Sequence, residues 1–538
     1  MNVSSGLAPI LDELRRKFRS QIESAEISSV GEVYIQIDPI TLSGLCAHLY
    51  RKFHARLTGV FSEDCREGDG CFYIRYVFAI APAHGYVVVR TRIAPGKPEF
   101  ISLTTAVPAV NWQEREIQDM FGLKAIGHPN PHRVALHDDW PDVHPLLKDF
   151  DLRTKLPPFQ GERHHFREVE GEGVFQVPVG PVHAGIIEPG HFLFSVAGEP
   201  VLYLQIRLFY THKGIEKLFE SMPATHGVFL AESISGDSSF SHSTAFCQAL
   251  ERAGGMEVPM AARLIRTLLL ELERIYNHVA DIGAIATDVA FVVANAHAMQ
   301  LKELILQLND RLAGNRLLRG MNRIGGVRRG LETGQIQDLR DVMDSLRGRF
   351  DMLVDLIFSS MSTLDRLENT GVLTPQTAGD LGVVGVAGRA SGIDLDVRRD
   401  HPYAAYDGLK FRVPVYTAGD VLHRLKVRVD EVRESISIIG QAVEQLSIKH
   451  ASMARGDVVA HWKILPPGQC ALGFVEGWRG EILHWVRTAE NNRLERCKIK
   501  DPSLQNWPAL SEAIQGNIIP DFPVVNKSFN LSYSGTDR

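Results

Sequence analysis

The sequence predicts a multidomain protein in which an N-terminal α+β domain precedes a mainly α-helical bundle domain with peripheral β-strands. Two patterns support this fold class. Residues 72–80 and 86–93 are rich in β-branched and aromatic side chains, as in paired strands, whereas the second half of the chain carries long apolar stripes with helical spacing. The length of 538 residues, 44% of them hydrophobic, suits two or more domains with a large buried core.

The N-terminal α+β domain is predicted to span residues 1–152. Helix-like patterns at 11–22 and 39–53 flank the two strand-like segments, and residues 81–85 join those segments as the turn of a hairpin. A linker is predicted at residues 153–172, where proline and charged residues are frequent.

The second domain is predicted to span residues 173–538. It opens with strand-like alternation up to about residue 205 and then becomes mainly helical. Two sets of apolar residues alternate spacings of three and four, so each set lines one face of a long helix in a bundle. The sets are Ile265, Leu268, Leu272, Ile275 and Val279, and Leu425, Val429, Val432, Ile436 and Ile439.

The composition argues against several classes of protein. A net charge of −6 gives no support for nucleic-acid binding. No apolar run approaches the roughly 18 residues of a membrane span, and the first residues lack a secretory signal pattern. Without a C-x-x-C pair, the six cysteines predict neither an iron–sulfur cluster nor a disulfide framework, and we interpret them as reduced cytoplasmic thiols. They are Cys46, Cys65, Cys71, Cys247, Cys470 and Cys497.

Three segments of the first domain resemble the signature of the C-type subunit of complex I. An acidic helix at 112–122 is followed by a histidine-proline turn at 128–133 and a second one at 144–150. The resemblance implies an α+β domain that docks neighbouring subunits and performs no chemistry. The alternative is that Glu114, Glu116 and Asp119 form a solvated face.

The second domain is similar, almost end to end, to the large subunit that complex I, in its D-type form, shares with the energy-converting nickel-iron hydrogenases. The segments that carry the resemblance are 180–192, 210–217, 270–278, 323–327 and 498–507. The fused order, C-type then D-type on one chain, resembles the large subunits of the formate-hydrogenlyase type. The resemblance implies a fold like that of the nickel-iron hydrogenase large subunit.

The cysteines that would bind nickel and iron in these hydrogenases are absent. In the segment 232–243, Ser235 and Ser238 stand where the first C-x-x-C belongs, and the C-terminal stretch 529–538 is predicted to lack the D-P-C element and to carry Gly535 in place of the last cysteine. A nickel-iron centre needs soft thiolates, which a protonated serine hydroxyl does not replace. We therefore predict no metal and no nickel-iron hydrogenase activity.

Some catalytic residues of the relatives are retained. The resemblance implies that Glu188 relays protons; a structural carboxylate paired with an arginine is the alternative. His183 and His191 flank Glu188, and either could bind a quinone carbonyl or pass a proton. The tyrosine and the aspartate that serve quinone reduction in complex I correspond here to Leu230 and Ser235, so that arrangement is lost.

Five positions are further candidates around the predicted cleft. Asp237 could substitute as an acid, and Ser235 and Ser238 mark the former metal site. The predicted contacts for a bound cofactor are these two serines, Arg323 and Asp420. Arg323 and Asp420 belong to a set of charged residues that either couples the cleft to an ion pump or serves structure alone. The set is Arg263, Arg266, Arg323, Asp420, Arg424, Arg479 and Glu481.

The resemblance implies a peripheral subunit of a complex I-like, hydrogenase-related membrane oxidoreductase at the cytoplasmic face of the inner membrane. It would receive electrons from an iron–sulfur partner and pass them to an unidentified acceptor, with quinone as one candidate, while membrane partners move ions. The expected partners are an iron–sulfur small subunit, a ferredoxin-like subunit, and integral-membrane antiporter-like and quinone-module subunits. The alternative function is a non-catalytic scaffold of the same kind of complex.

Overall fold

The structure is a computed structural model that describes residues 3–28, 31–157, 166–184, 187–450, 458–460 and 463–538, with backbone alone at 3–5 and 448–450. Residues 158–165 of the predicted linker lie outside the described part, as do Gly185 and Ile186 of the segment that precedes Glu188.

The N-terminal domain is built on a five-stranded sheet. Its strands lie in the order β1-β2-β5-β4-β3, and among these neighbours only β2 and β5 run parallel. The elements of this domain are α1 (Val3–Lys17), β1 (Ile22–Ile27), β2 (Glu32–Ile37), α2 (Leu42–Lys52), β3 (Arg56–Cys65), β4 (Cys71–Ile80), β5 (Gly85–Ile93), β6 (Glu99–Ile101), α3 (Asn111–Phe121) and β7 (Lys124–Ile126).

The predicted hairpin matches β4 and β5, which pair in antiparallel register from Phe72 opposite Ile93 to Ile80 opposite Gly85. The helix predicted at 11–22 is displaced: α1 ends at Lys17, and Ile22 begins β1. The pairing of β1 with β2 therefore overrides the helix-like apolar spacing of this segment, because strand pairing depends on a distant partner that local periodicity does not reveal.

The second domain begins with a three-stranded sheet and continues into helices. Four long helices, α7, α8, α9 and α14, pack on one another as a bundle. The elements up to this point are β8 (Val174–Val179), β9 (His191–Ala197), β10 (Val201–Arg207), α4 (Ile215–Leu218), α5 (Ala224–Ala231), α6 (Ser239–Ala253), α7 (Met260–Asp288), α8 (Val292–Ala313), β11 (Asn322–Arg323), β12 (Gly326–Val327), α9 (Thr333–Phe358), α10 (Met361–Leu367), α11 (Pro375–Asp380), α12 (Gly385–Ala390), α13 (Val397–Asp400) and α14 (Val421–His450).

The two predicted apolar stripes lie on α7 and α14, and all ten of their residues are buried. The last part of the chain adds an antiparallel sheet and three helices. These elements are β13 (Cys470–Gly477), β14 (Gly480–Thr488), β15 (Leu494–Lys500), α15 (Pro502–Ala513), α16 (Phe522–Phe529) and α17 (Tyr533–Asp537). Within the described ranges, no helix is long and apolar enough to cross a membrane.

The two domains share one hydrophobic core, which runs without a break from Leu7 in α1 to Tyr533 in α17. Polar contacts reinforce this junction. The guanidinium of Arg56 on β3 donates two hydrogen bonds, of 2.8 and 2.7 Å, to the carboxylate of Glu481 on β14. Phe61 and Trp485 also meet across it, with ring centroids 5.0 Å apart.

Candidate functional site

Two loops that lie far apart in the sequence meet at a pair of serines. Ser235 precedes the short turn 236–238 that leads into α6, and Ser532 caps the first turn of α17 by accepting a hydrogen bond from the Gly535 N–H. The two Oγ atoms lie 2.9 Å apart, within hydrogen-bonding distance, and both side chains are buried. The two loops are therefore in direct contact.

The C-terminal stretch brings Ser532 to this contact. Ser532 stands three residues before Gly535 and lies against Ser235. Positions 532 and 535 therefore have the spacing of a C-x-x-C pair, as positions 235 and 238 do. The predicted loss of the D-P-C element stays a prediction.

An ion pair lies beside the two serines. Arg479 donates two parallel hydrogen bonds, of 2.8 and 2.7 Å, to the carboxylate of Asp237, and Ser235 donates a third of 2.7 Å. Burial opposes the charge on Asp237, but Arg479 prevails and holds the pKa of this carboxyl below its usual value. The predicted use of Asp237 as an acid therefore finds no support, since the group remains ionised near neutral pH.

Backbone contacts hold the loop that carries Asp237. The indole N–H of Trp478 donates to the Asp237 carbonyl at 3.0 Å and to Ser238 Oγ at 3.1 Å. Asn277 on α7 donates to the same carbonyl at 2.8 Å. The guanidinium of Arg479 lies 3.8 Å from the centroid of the Trp478 ring. The turn between β13 and β14 therefore supplies both the arginine of the ion pair and the indole that holds the loop of Asp237.

Gly535 leaves room for the carboxylate of Asp501. A Cβ atom at this position would lie 2.6 Å from Oδ2 of Asp501. That oxygen is already hydrogen-bonded to His242 Nε2 at 3.0 Å. Burial opposes ionisation of Asp501, but His242 and Arg479 lower its pKa to about 2. A cysteine at 535 would therefore meet an ionised oxygen.

The residues present do not fit a nickel-iron centre. They offer hydroxyls and carboxylates that already bind one another or an arginine, and they offer no sulfur. Elsewhere in the described ranges, Glu63, Cys65 and Glu495 form a group with metal-ligand geometry. The guanidinium of Arg487 contacts all three of them, which makes this group an arginine-centred cluster.

A cavity of about 720 Å³ opens from the serine pair. The buried Ser235, Ser532 and Arg479 and the partly exposed Asp237 form a polar part of its lining. Helices α7 and α8 and the loop after α8 contribute an apolar wall, which consists of Ala280, Ala284, Met299, Leu306 and Leu317. Cations also line the cavity: Lys302, Arg316 and Lys527.

Glu188 lines the same cavity. Its Oε2 accepts a 3.0 Å hydrogen bond from the backbone N–H of Ser534, beside the serine pair. Lys213 lies near Glu188 and donates to the carbonyl of Ile234 at 3.0 Å. Burial lowers the pKa of this lysine, and the charge of Glu188 opposes that shift. The structure thus brings Glu188, Ser235 and Asp237 to one cavity, with Ser238 next to them.

The other predicted site residues lie outside the lining of this cavity. His183 donates its Nε2–H to the Gly190 carbonyl at 2.7 Å. His191 lies on β9 and lines a second cavity, of about 770 Å³, between the two domains. Arg323 is exposed on β11. Asp420 accepts hydrogen bonds from the N–H groups of His423 and Asn369 at the start of α14.

Several residues of the site were not predicted. Asp501 and Tyr533 lie in segments that carried the resemblance, yet nothing in those segments showed that Asp501 lies against Gly535 and that Tyr533 lines the cavity. Asp281 likewise lines the cavity, through its position on α7 next to the predicted stripe. A helical stripe marks buried faces but does not identify which polar neighbours face a cleft.

Comparisons with known proteins agree with this architecture. Residues 35–156 match the family described as respiratory-chain NADH dehydrogenase, 30 kDa subunit, and residues 288–538 match the 49 kDa subunit of the same enzyme. The chain is therefore a fused large subunit of the complex I and hydrogenase class. It joins an N-terminal α+β domain to a helical bundle that carries two apposed loops.

Three individual relatives show which members of this class the chain resembles. Formate hydrogenlyase subunit 5 of Escherichia coli is 35% identical over 91% of this chain and 86% of its own length. Hydrogenase-4 component G of the same organism is 33% identical over 100% of this chain and 94% of its own length. The C/D subunit of the NADH-quinone oxidoreductase of Bacteroides fragilis is 29% identical over 82% of this chain and 86% of its own length. The chain belongs to this family of fused C/D-type subunits of complex I-like and hydrogenase complexes.

Proposed function

We propose that this protein is a peripheral subunit of a membrane oxidoreductase and that it works without a nickel-iron centre. An iron–sulfur cluster on a partner subunit delivers electrons to an acceptor in the cavity beside Ser235, and membrane partners use the energy to move ions. A quinone is the proposed acceptor. The names of the relatives, which are components of hydrogenase and NADH-quinone oxidoreductase complexes, support this proposal.

The observation that carries the proposal is the contact between Ser235 and Ser532. It closes the former metal site with hydroxyls while a cavity of about 720 Å³ persists next to it. Volumes of about 300–1,000 Å³ are typical of sites for small molecules, and such sites combine apolar walls with a few polar groups. A metal-free site beside a cavity of this size fits an organic acceptor.

Glu188 is the proposed proton relay. It lines the cavity, where its Oε2 accepts a hydrogen bond from the Ser534 N–H, so its carboxyl lies where a molecule in the cavity can exchange a proton with it. The proposed partners are an iron–sulfur small subunit, a ferredoxin-like subunit, and membrane subunits of the antiporter and quinone-module types. The proposed location is the cytoplasmic face of the inner membrane, where these partners hold the protein.

A non-catalytic scaffold is the second candidate function. The bidentate pair of Asp237 with Arg479 favours it, because Arg479 also donates to the Asn530 carbonyl and so links the two loops as a rigid structural contact would. A scaffold needs the ion pair but no acceptor. The two candidates therefore differ in whether the cavity binds and reduces a small molecule.

The test is carried out on the purified, assembled complex. Metal analysis is expected to find iron but no stoichiometric nickel, and reduced ferredoxin is expected to drive reduction of a short-chain quinone analogue. Glu188→Gln should lower this rate by about 10²-fold, the usual contribution of a proton-transfer group. Glu199→Gln, in the exposed turn between β9 and β10, is the matched control and should leave the rate unchanged.

Each contrary outcome has a definite meaning. Stoichiometric nickel would overturn the metal-free site. An unchanged rate in Glu188→Gln would remove the relay from the mechanism. A complex that assembles and moves ions but neither binds nor reduces any quinone analogue would favour the scaffold.

A further inference from the structure

A third cavity, of about 710 Å³, lies where the two domains meet and shares no residue with the cavity beside Ser235. Helix α3 and the turn 128–133 line it from the first domain, and strand β10 and helix α15 line it from the second. Among the described residues, four arginines belong to this lining against a single carboxylate, that of Glu512. The arginines are Arg115, Arg133, Arg167 and Arg207.

Arg115 is a buried cation without a carboxylate partner. Its side chain is only 9% exposed, and its Nε and Nη2 donate to the backbone carbonyls of His132 and Arg133 at 2.7 and 3.0 Å. Within the described ranges, Nη1 donates no hydrogen bond and no carboxylate forms an ion pair with this guanidinium. Because a buried charge usually has an opposite charge beside it, Arg115 marks a place where an anion can bind.

The surroundings of Arg115 leave its charge in place. Burial lowers the pKa of this guanidinium to about 10, while the charge of Asp119 opposes the shift and that of Arg207 adds to it. The group is therefore still protonated at neutral pH. The carboxylate of Asp119 is held elsewhere, because its Oδ2 accepts hydrogen bonds of 2.9, 2.8 and 3.2 Å from the backbone N–H groups of residues 134–136.

Two more guanidiniums strengthen the positive charge of the lining. Arg133 donates to backbone carbonyls, and the guanidinium of Arg167 lies 5.2 Å from the centroid of the Tyr203 ring. Within the described ranges, neither forms an ion pair, whereas Arg207 pairs with Asp138 at 3.0 Å. Three cations without a paired carboxylate around one cavity create a positive potential that attracts anions.

The same cavity also offers apolar contacts. Its volume lies within the range of about 300–1,000 Å³ that is typical of sites for small molecules. The half-buried indole of Trp112 lies one residue beyond the start of α3 and provides an aromatic surface. Further apolar side chains of the lining are Leu204, Ile206, Leu208, Leu504 and Pro508. The lining therefore suits a molecule with an anionic group and an apolar part.

We propose that this cavity binds an anionic small molecule whose phosphate or carboxylate group contacts Arg115 and whose flat apolar part packs beside Trp112. A planar guanidinium suits both oxyanions, since its N–H groups match their oxygen atoms. The ligand would bridge the two domains, because α3 belongs to the first and β10 to the second. This inference goes beyond the proposed function and needs no acceptor beside Ser235.

Isothermal titration of the full-length protein with three probes tests this proposal. Phenyl phosphate carries both parts of the proposed ligand, inorganic phosphate carries the charge alone, and benzyl alcohol carries the ring alone. We expect phenyl phosphate to bind about fivefold more tightly than inorganic phosphate, because its ring can pack beside Trp112. Benzyl alcohol should not bind detectably, and added salt should weaken both phosphates because it screens the charges.

Three variants identify the site, and two of them have opposite effects. Arg115→Gln should weaken the binding of phenyl phosphate by about tenfold, as for loss of a charged hydrogen bond. Arg167→Gln, at an exposed position, should weaken it by about two- to fivefold, and Glu512→Gln should strengthen it by about twofold. The control is Arg412→Gln, whose arginine pairs with Glu434 outside this cavity and should have no effect.

The exposed variants keep the proposal falsifiable if Arg115→Gln fails to fold, because Arg167 and Glu512 make no ion pair within the described ranges. Failure of wild type to bind phenyl phosphate would overturn the inference. So would equal binding by wild type, Arg167→Gln and Glu512→Gln. The proposed function would stand in both cases, since it concerns another cavity.

A second measurement distinguishes the two natural sources of such an anionic group. Native mass spectrometry of the purified protein would show a retained phospholipid that phenyl phosphate displaces if a lipid headgroup occupies the cavity. Displacement of a small anion instead would identify a free phosphate or carboxylate compound as the occupant. Either result supports the site, whereas a retained lipid or anion that phenyl phosphate leaves in place would contradict it.

Discussion

Ser235 Oγ and Ser532 Oγ lie 2.9 Å apart, and this contact joins two loops that are 297 positions apart in the sequence. In a metal centre, the ligands on the two loops would be joined through the ion. Here the hydroxyls join the loops directly, and the ion pair of Asp237 with Arg479 adds a charge-balanced contact beside them. Contacts between their own side chains therefore hold the loops together.

Gly535→Ala is expected to destabilise the protein by about 1–3 kcal/mol, because the new Cβ would overlap Oδ2 of Asp501 and force a shift in a packed region. Chemical denaturation measures the change. Gly440→Ala is the matched control: Gly440 lies in the exposed face of α14 with open space around it, so alanine should stabilise by about 0.5–1 kcal/mol. Equal effects of the two substitutions would contradict the proposed crowding at 535.

Arg479→Gln should destabilise the protein at pH 7 by about 1–2 kcal/mol, less than for a fully buried pair because 38% of the Asp237 side chain is exposed. The pKa of Asp237 is lowered in the folded protein, so the pair stabilises above the ordinary value of 3.8 and its contribution is lost as the pH falls. The difference from wild type should therefore shrink below pH 3.8. Arg433→Gln, in an exposed pair with Asp351, should show no such trend.

Arg56→Met should cost about 3 kcal/mol at pH 7, because it leaves the buried carboxylate of Glu481 without its bidentate partner. Burial opposes ionisation of Glu481, but Arg56 and Lys500 lower its pKa from 4.5 to about 2. The stabilisation is thus complete above pH 4.5 and disappears as the pH falls through 2. Denaturation curves at several pH values test this. A difference in unfolding free energy that stays constant with pH would contradict the stabilising role of this ion pair. Arg412→Met, on the exposed surface, serves as control.

Gly190→Ala should displace the Tyr533 ring, because the added Cβ would lie 2.5 Å from its Cε1. We expect a loss of about 1–3 kcal/mol in stability and a weaker affinity for the quinone analogue. Denaturation and calorimetric titration measure the two effects. Gly348→Ala is the matched control, because Gly348 lies in the exposed part of a helix with nothing near its Cβ position. Gly198→Ala is unsuitable because the φ of Gly198 is positive. Unchanged affinity in Gly190→Ala would show that the ring position is not needed for binding.

The sequence predicted the parts of the fold that depend on local periodicity. The stripes from Ile265 and from Leu425 identified α7 and α14, and the β-rich segments identified β4 and β5. The helix predicted at 11–22 failed in its last turn, where pairing with β2 places Ile22 in a strand. Long-range pairing of this kind carries no periodic signal along the chain.

The site was predicted only in part. The substitution pattern identified Ser235 and Ser238, and the resemblance identified Glu188, but the contact of Asp237 with Arg479 joins residues 242 positions apart. Only the folded chain shows which carboxylate faces which guanidinium. The same holds for Ser532, whose contact with Ser235 joins residues 297 positions apart.

The uninterrupted core that links Leu7 to Tyr533 has a consequence for how this protein can be made. If the two domains were produced as separate polypeptides, each would expose to water the hydrophobic surface that now faces the other, and each would tend to precipitate. We expect such halves to stay in solution only when expressed together, each acting as the cover of the other.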